Sequence, residues 1–100
     1  MIVASFWTLN PGISPSKVAE VYAKLLQKEA YPVKGSKTLA WYVCPGGKGV
    51  TVTEHEDTAA ADEGAFENWV VWERELPGIF ESFGSLPAIT AEKAANIVLK

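Results

Sequence analysis

The stretch Ile2–Leu9, Ile-Val-Ala-Ser-Phe-Trp-Thr-Leu, sets the strongest condition on the fold. Its β-branched and aromatic residues, with the turn sequence Asn10-Pro11-Gly12 directly after them, predict a strand. Both alternating faces are largely apolar: Ile2, Ala4, Phe6 and Thr8 on one, Val3, Ser5, Trp7 and Leu9 on the other. Such a strand belongs in the middle of a sheet, with something laid over each side. The remainder of the chain must therefore supply partners on both edges and cover on both faces.

Two long helical stretches are available for cover. Ser14-Pro15 predicts a helix start, since Ser14 caps free amides and Pro15 at the first position loses no useful donor. This helix runs to about Ala30 with an apolar stripe of Val18, Val21, Tyr22, Leu25 and Leu26, and Pro32 ends it. Asp57-Thr58 caps a second helix reaching about Glu75. Asp62 and Glu63 suit its positive end, and Ala65, Phe66, Trp69, Val70, Trp72 and Leu76 form its apolar face. Gly64 inside it costs about 1 kcal/mol against alanine, which leaves room for a later start.

Lys37–Cys44 and Gly49–His55 read as a hairpin joined through Pro45-Gly46-Gly47-Lys48. Pairing Cys44 with Gly49 sets Val43 opposite Val50, Tyr42 opposite Thr51 and Trp41 opposite Val52. One face then carries Leu39, Trp41, Val43, Val50 and Val52, and the other Thr38, Ala40, Tyr42, Cys44, Thr51, Thr53 and His55. A slip of one residue exchanges members between the two. Ile79–Leu86 reads as a last strand, bulged at Gly84. After Pro87, Thr90 caps a short helix to about Leu99 with Ala91, Ala94, Ala95 and Val98 inward.

One hundred residues suit a single domain spanning 1–100, with a radius of gyration of about 13 Å. Hydrophobic and charged fractions of 48% and 21% exclude intrinsic disorder. The lone Cys44 excludes an intrachain disulfide, and a net charge of -3 without a basic segment argues against nucleic acid. The N-terminus has no positive flank and every apolar run is short, so neither a leader nor a membrane span is expected, and the expected location is the cytoplasm.

Strand, helix, strand, strand, helix, strand, then a further helix is the split βαβ order of an α+β ferredoxin-like fold, with four antiparallel strands and both long helices on one face. On that order the chain resembles the dimeric α+β barrel, or dimeric ferredoxin-like, superfamily, and within it a family of small bacterial domains of unknown function. The matching stretches are Phe6–Gly12, the helix-turn-strand reading through Lys37-Thr38-Leu39, and the segment carrying Trp69, Trp72, Leu76, Phe80 and the later Pro87. The resemblance implies a homodimer whose two sheets pack into a barrel-like core, through the sheet face that the helices leave open. It implies no activity. More distant superfamily members include cofactor-free monooxygenases, muconolactone isomerases and haem-degrading enzymes, but no motif here matches their active residues.

The residues worth following are those of the mixed sheet face. Tyr42, Thr51, Thr53, Ser5 and His55 place polar groups beside aromatic walls such as Trp7, the make-up of a small-molecule pocket. The alternative is a filled dimer interface. His55, the one histidine, is the candidate general base, with Tyr42 orienting it, against a partly exposed strand-end histidine. Cys44 lacks the charged surroundings of a reactive thiol. Cys44–Gly49 lacks both the spacing and the following helix of a phosphate loop. The acidic run Glu54–Glu67 lacks the convergent spacing of a metal site. Neither a cofactor nor a metal is expected. The leading expectation is a homodimer without assignable activity that binds a small apolar ligand. The alternative is a cofactor-independent monooxygenase- or isomerase-like enzyme acting on an aromatic or lactone substrate, with His55 as base.

Overall fold

Ile2–Leu9 is strand β1, and it occupies an inner position of a four-stranded antiparallel sheet ordered β2-β3-β1-β4. The computed structural model describes residues 1–99, apart from the side chains of Thr58, Ala59, Ala60 and Asp62. The expected capping by Thr58 and the charge of Asp62 lie outside the described residues. Helices α1 (Pro15–Gln27) and α2 (Thr58–Glu75) cover one face of β1, β2 (Ser36–Cys44), β3 (Lys48–His55) and β4 (Phe80–Ala88). This is the ferredoxin-like α+β arrangement that the element order predicts.

The core lies between that face and the helices. Val21 and Leu25 of α1, Tyr31, Trp72 of α2 and Ile79 are buried together, with Tyr22 and Trp41 packed against them. The rings of Tyr22, Tyr31, Trp41 and Trp72 meet with centroids 5.0 to 6.3 Å apart, mostly edge to face. Edge-to-face contact sets positive ring edges against negative faces, which contributes beyond the buried area.

Several local expectations need correction. Helix α1 stops at Gln27, before Pro32 can act, because Glu29 enters the left-handed region at φ 55°. The reversal brings Ala30 N–H back to the Leu25 carbonyl at 2.9 Å and leaves Leu26 largely outside the core. In α2 the buried stripe is Ala61, Gly64, Asn68 and Trp72, rotated from the expected face, so Phe66 points outward. The irregularity in β4 lies at Glu81, opposite the Thr8–Leu9 step, and not at Gly84. There Asn10 Nδ2 donates to the carbonyls of Gly78 at 2.6 Å and Phe80 at 3.2 Å, drawing the start of β4 toward the end of β1.

The hairpin register is the largest correction. Cys44 pairs with Lys48, Tyr42 with Val50 and Trp41 with Thr51, one residue from the expected alignment. Gly46 and Gly47 both take positive φ, so three residues close the turn where four were expected. A second shift at Leu39 sets Thr38 opposite Thr53, one residue further from the expected alignment. Trp41 therefore faces the helices with Thr51 and Thr53, while Tyr42 belongs to the open face.

Helix α3 (Ala91–Val98) forms behind its Thr90 cap, whose Oγ1 accepts from Lys93 N–H at 3.2 Å. Its expected inner side meets nothing, because among the described residues α3 packs against no other element. It projects from the sheet end and stretches the chain to 48 × 29 × 17 Å, with a radius of gyration of 14.5 Å. No helix among the described residues is long and apolar enough to cross a membrane.

Candidate ligand-binding cleft

The helix side of β1 places Ser5 and Trp7 in the interior, and the corrected register of β3 adds Thr51, Thr53 and His55 to the same side. Trp7 lies across Gly49, where a Cβ would collide with the indole ring, so the glycine is what lets the ring lie flat on the sheet. Trp7 Nε1 donates to Thr51 Oγ1 at 3.2 Å, and the Ser5 and Ser85 hydroxyls share a hydrogen bond of 2.8 Å.

Two neighbouring spaces lie above these residues. An outer cleft of about 850 Å³ runs between the start of α1 and the β2–β3 turn, lined by Ile13, Pro15, Val18, Ala19, Tyr22, Val43, Cys44 and Pro45–Gly47. An inner chamber of about 40 Å³ adjoins it, reaching Ser5, Tyr31, Thr51, Thr53, Asn68 and Trp72. Trp7, Leu9, Val18 and Trp41 line both. The chamber has room for little more than a water molecule, whereas the cleft matches the size of small-molecule sites. A ligand would therefore lie in the cleft with its inner end toward the chamber.

The chemistry of the walls is neutral. Among the described residues, no charged side chain lines either space. Burial raises the Tyr31 phenol above its ordinary value, despite a lowering contribution from Thr38, so it stays protonated. Asn68 Oδ1 is occupied by Val33 N–H at 3.2 Å. The buried Trp41 Nε1, by contrast, has no hydrogen-bond partner. Leaving such a donor unmatched costs about 1–3 kcal/mol.

His55 stands apart from this cleft. Its ring is 3% exposed, lines neither space, and donates to or accepts from Thr53 Oγ1 through Nε2 at 2.9 Å. Gly64 of α2 lies directly over it: a Cβ there would come within 2.7 Å of Cε1 and Nδ1. Burial first, and the N-terminal ammonium second, lower its pKa below the ordinary 6.5. The Met1 ammonium also donates to the His55 carbonyl at 2.6 Å. Its hydrogen bond to Thr53 links it to a side chain that lines the chamber. Tyr42, 65% exposed on the opposite face, is separated from both. Of the expected set, Ser5, Trp7, Thr51 and Thr53 line the chamber, while His55 and Tyr42 do not.

Tyr31 and Asn68 lie outside the set of residues that the sequence singles out for this site. Trp41 was assigned to the other face through the register, whereas the separation of Asn68 from its partner Val33 by 35 positions leaves no local signal. Gly64 did carry one, a glycine kept inside a helix despite its cost.

No protein-family model matches the chain, and no curated protein matches it in sequence. Solved structures match its fold. An Agrobacterium tumefaciens protein superposes with a TM-score of 0.64 at 11% identity, covering 90% of this chain and 92% of its own. A dimeric ferredoxin-like protein of unknown function from Thermobifida fusca gives 0.56 at 12%, covering 86% and 88%. A structure described as an antibiotic biosynthesis monooxygenase gives 0.53 at 20%, covering 90% and 100%. The structural neighbours are thus dimeric ferredoxin-like and monooxygenase-like folds, and at these identities the likeness is one of fold.

Proposed function

We propose that this chain is a cytoplasmic, single-domain homodimer that binds a small, neutral, largely apolar molecule carrying an oxygen acceptor. The observation that carries the reading is the uncharged aromatic cleft walled by Trp7, Tyr22 and Trp41. The ligand lies between sheet and helices, its apolar body on the rings and its polar end toward Thr51 and Thr53. The homodimer reading is supported by Phe6, Tyr42 and Leu86, exposed on the sheet face that no helix covers. A neighbour described as dimeric with the same fold agrees with it.

Native mass spectrometry of freshly purified protein, compared with the denatured sample, tests both parts. The expected result is a dimer carrying a reproducible extra mass that denaturation removes. A bare dimer whose tryptophan emission is unchanged by any neutral aromatic ketone or lactone would remove the ligand. A monomer at all concentrations would remove the dimer.

The enzymatic alternative rests on the Thr53–His55 hydrogen bond. In that reading Thr53 faces the aromatic or lactone substrate and His55 takes up a proton through it. His55→Gln would then abolish turnover of a substrate that still binds, and unchanged turnover would discard it.

A further inference from the structure

We infer that the inner chamber is the site of an attacking water, and that the molecule taken by the cleft is an uncharged ester, open or cyclic, which the protein hydrolyses. The inference deepens the ligand-binding reading and rests on it.

The chamber suits a nucleophile better than a substrate. Its volume of about 40 Å³ accommodates a water and little more. Ser5, Thr51, Thr53 and Asn68 all line it, and pairing with β1 sets Thr51 and Thr53 two residues apart on one side of β3. A water there finds the partners it needs, since hydroxyls both donate and accept. The chamber and the cleft share Trp7 and Trp41 as walls, so a molecule in the cleft has its inner end against that water.

One of the hydroxyls ends on a base. Thr53 Oγ1 lies 2.9 Å from His55 Nε2, and both residues are buried. With the imidazole proton on Nδ1, Nε2 accepts from Thr53, whose Oγ1 keeps a lone pair for the water. Burial holds the ring neutral near pH 7, the form that can take up a proton. Thr51 Oγ1 accepts from Trp7 Nε1 at 3.2 Å, so its own proton is there to meet the acyl oxygen as charge gathers on it.

In the step, the water oxygen bonds to the acyl carbon and its proton passes to Thr53 Oγ1, while the Thr53 proton passes to His55 Nε2. The acyl C–O bond to the leaving oxygen then breaks. That oxygen takes the proton back along the same path, which leaves an alcohol and a carboxylic acid. Once ionised, the acid meets no charged side chain among the described residues of either space, which favours its release.

Phenyl acetate and dihydrocoumarin, a neutral aromatic lactone, are the probes on the full chain. Tryptophan emission reads binding, and chromatography reads the acid formed. Thr53→Val and His55→Gln are each expected to lower kcat at least about 100-fold with KM changed less than about twofold. Thr53→Ser keeps the hydroxyl and is expected to retain most of the activity. The double variant is expected to be no slower than the slower single one, because both break one relay. Thr53→Val protein that hydrolyses at the wild-type rate overturns the inference, as does an acyl group found covalently on Thr53 after acid quenching. Should Thr53→Val fail to fold, the contrast between His55→Gln and Thr53→Ser decides: equal rates in those two overturn the relay. Probes that bind saturably but stay intact remove the hydrolysis and leave the ligand-binding reading standing. Probes that neither bind nor react remove both.

Discussion

Two glycines in this chain are fixed by what lies across from them. At Gly49 an added Cβ meets the Trp7 indole, wedged between sheet and helices, and at Gly64 it meets the His55 ring. Gly49→Ala is therefore expected to cost about 2–3 kcal/mol, at the upper end of overpacking. Gly64→Ala gains about 1 kcal/mol of helix propensity against a similar or larger clash. Its expected net loss is smaller, about 1 kcal/mol, and chemical denaturation of the two variants would order them. His55 adds a pH dependence. Its folded pKa lies below 6.5, so between the two values the unfolded chain holds more protons than the folded one. This contribution to stability is intact above the unfolded pKa and is lost as pH falls from there through the folded value. Thermal melts should show it as a decline below about pH 6.5 that His55→Gln removes. Of these residues the sequence announces only that Gly64 is out of place in a helix. Which ring it accommodates follows from a contact between α2 and β3 that no local pattern encodes.

At the scale of elements, apolar periodicity is legible wherever it is long. The strand β1, both faces of it, and the cap of α1 at Ser14 follow from neighbouring residues alone. Ser14 Oγ accepts from Lys17 N–H at 3.1 Å, as its position before Pro15 predicts. The register of β2 against β3 is not legible in the same way, because it depends on whether two glycines turn the chain in three residues or four. That choice moved Trp41 into the candidate cleft and Tyr42 out of it. The end of α1 is a second case, since a glutamate stands where a left-handed residue is required. Glu29→Gly removes the Cβ penalty at φ 55° and is expected to stabilise the chain by about 0.5–1 kcal/mol, read as a rise in Tm. Asn68→Ala should do the opposite. It leaves the buried Val33 N–H without its acceptor at a cost of about 1–3 kcal/mol, measurable by the same melts.

For the whole molecule, the sheet face left bare by two helices was legible from β1 and the element order, while the projecting α3 was not, because its spacing matches that of a helix packed inward. The position of β1 has a consequence of its own during synthesis. Ser5 faces Thr51 on one side and Ser85 on the other, so the first strand to be made is the one whose partners come 46 and 80 residues later. Contacts that distant slow folding, because a long loop must close before any of them stabilises the chain. On the ribosome β1 would pair first with β3, then wait with its second edge bare until β4 leaves the exit tunnel. During that interval the row from Val3 to Leu9 is the segment most open to pairing with another nascent chain.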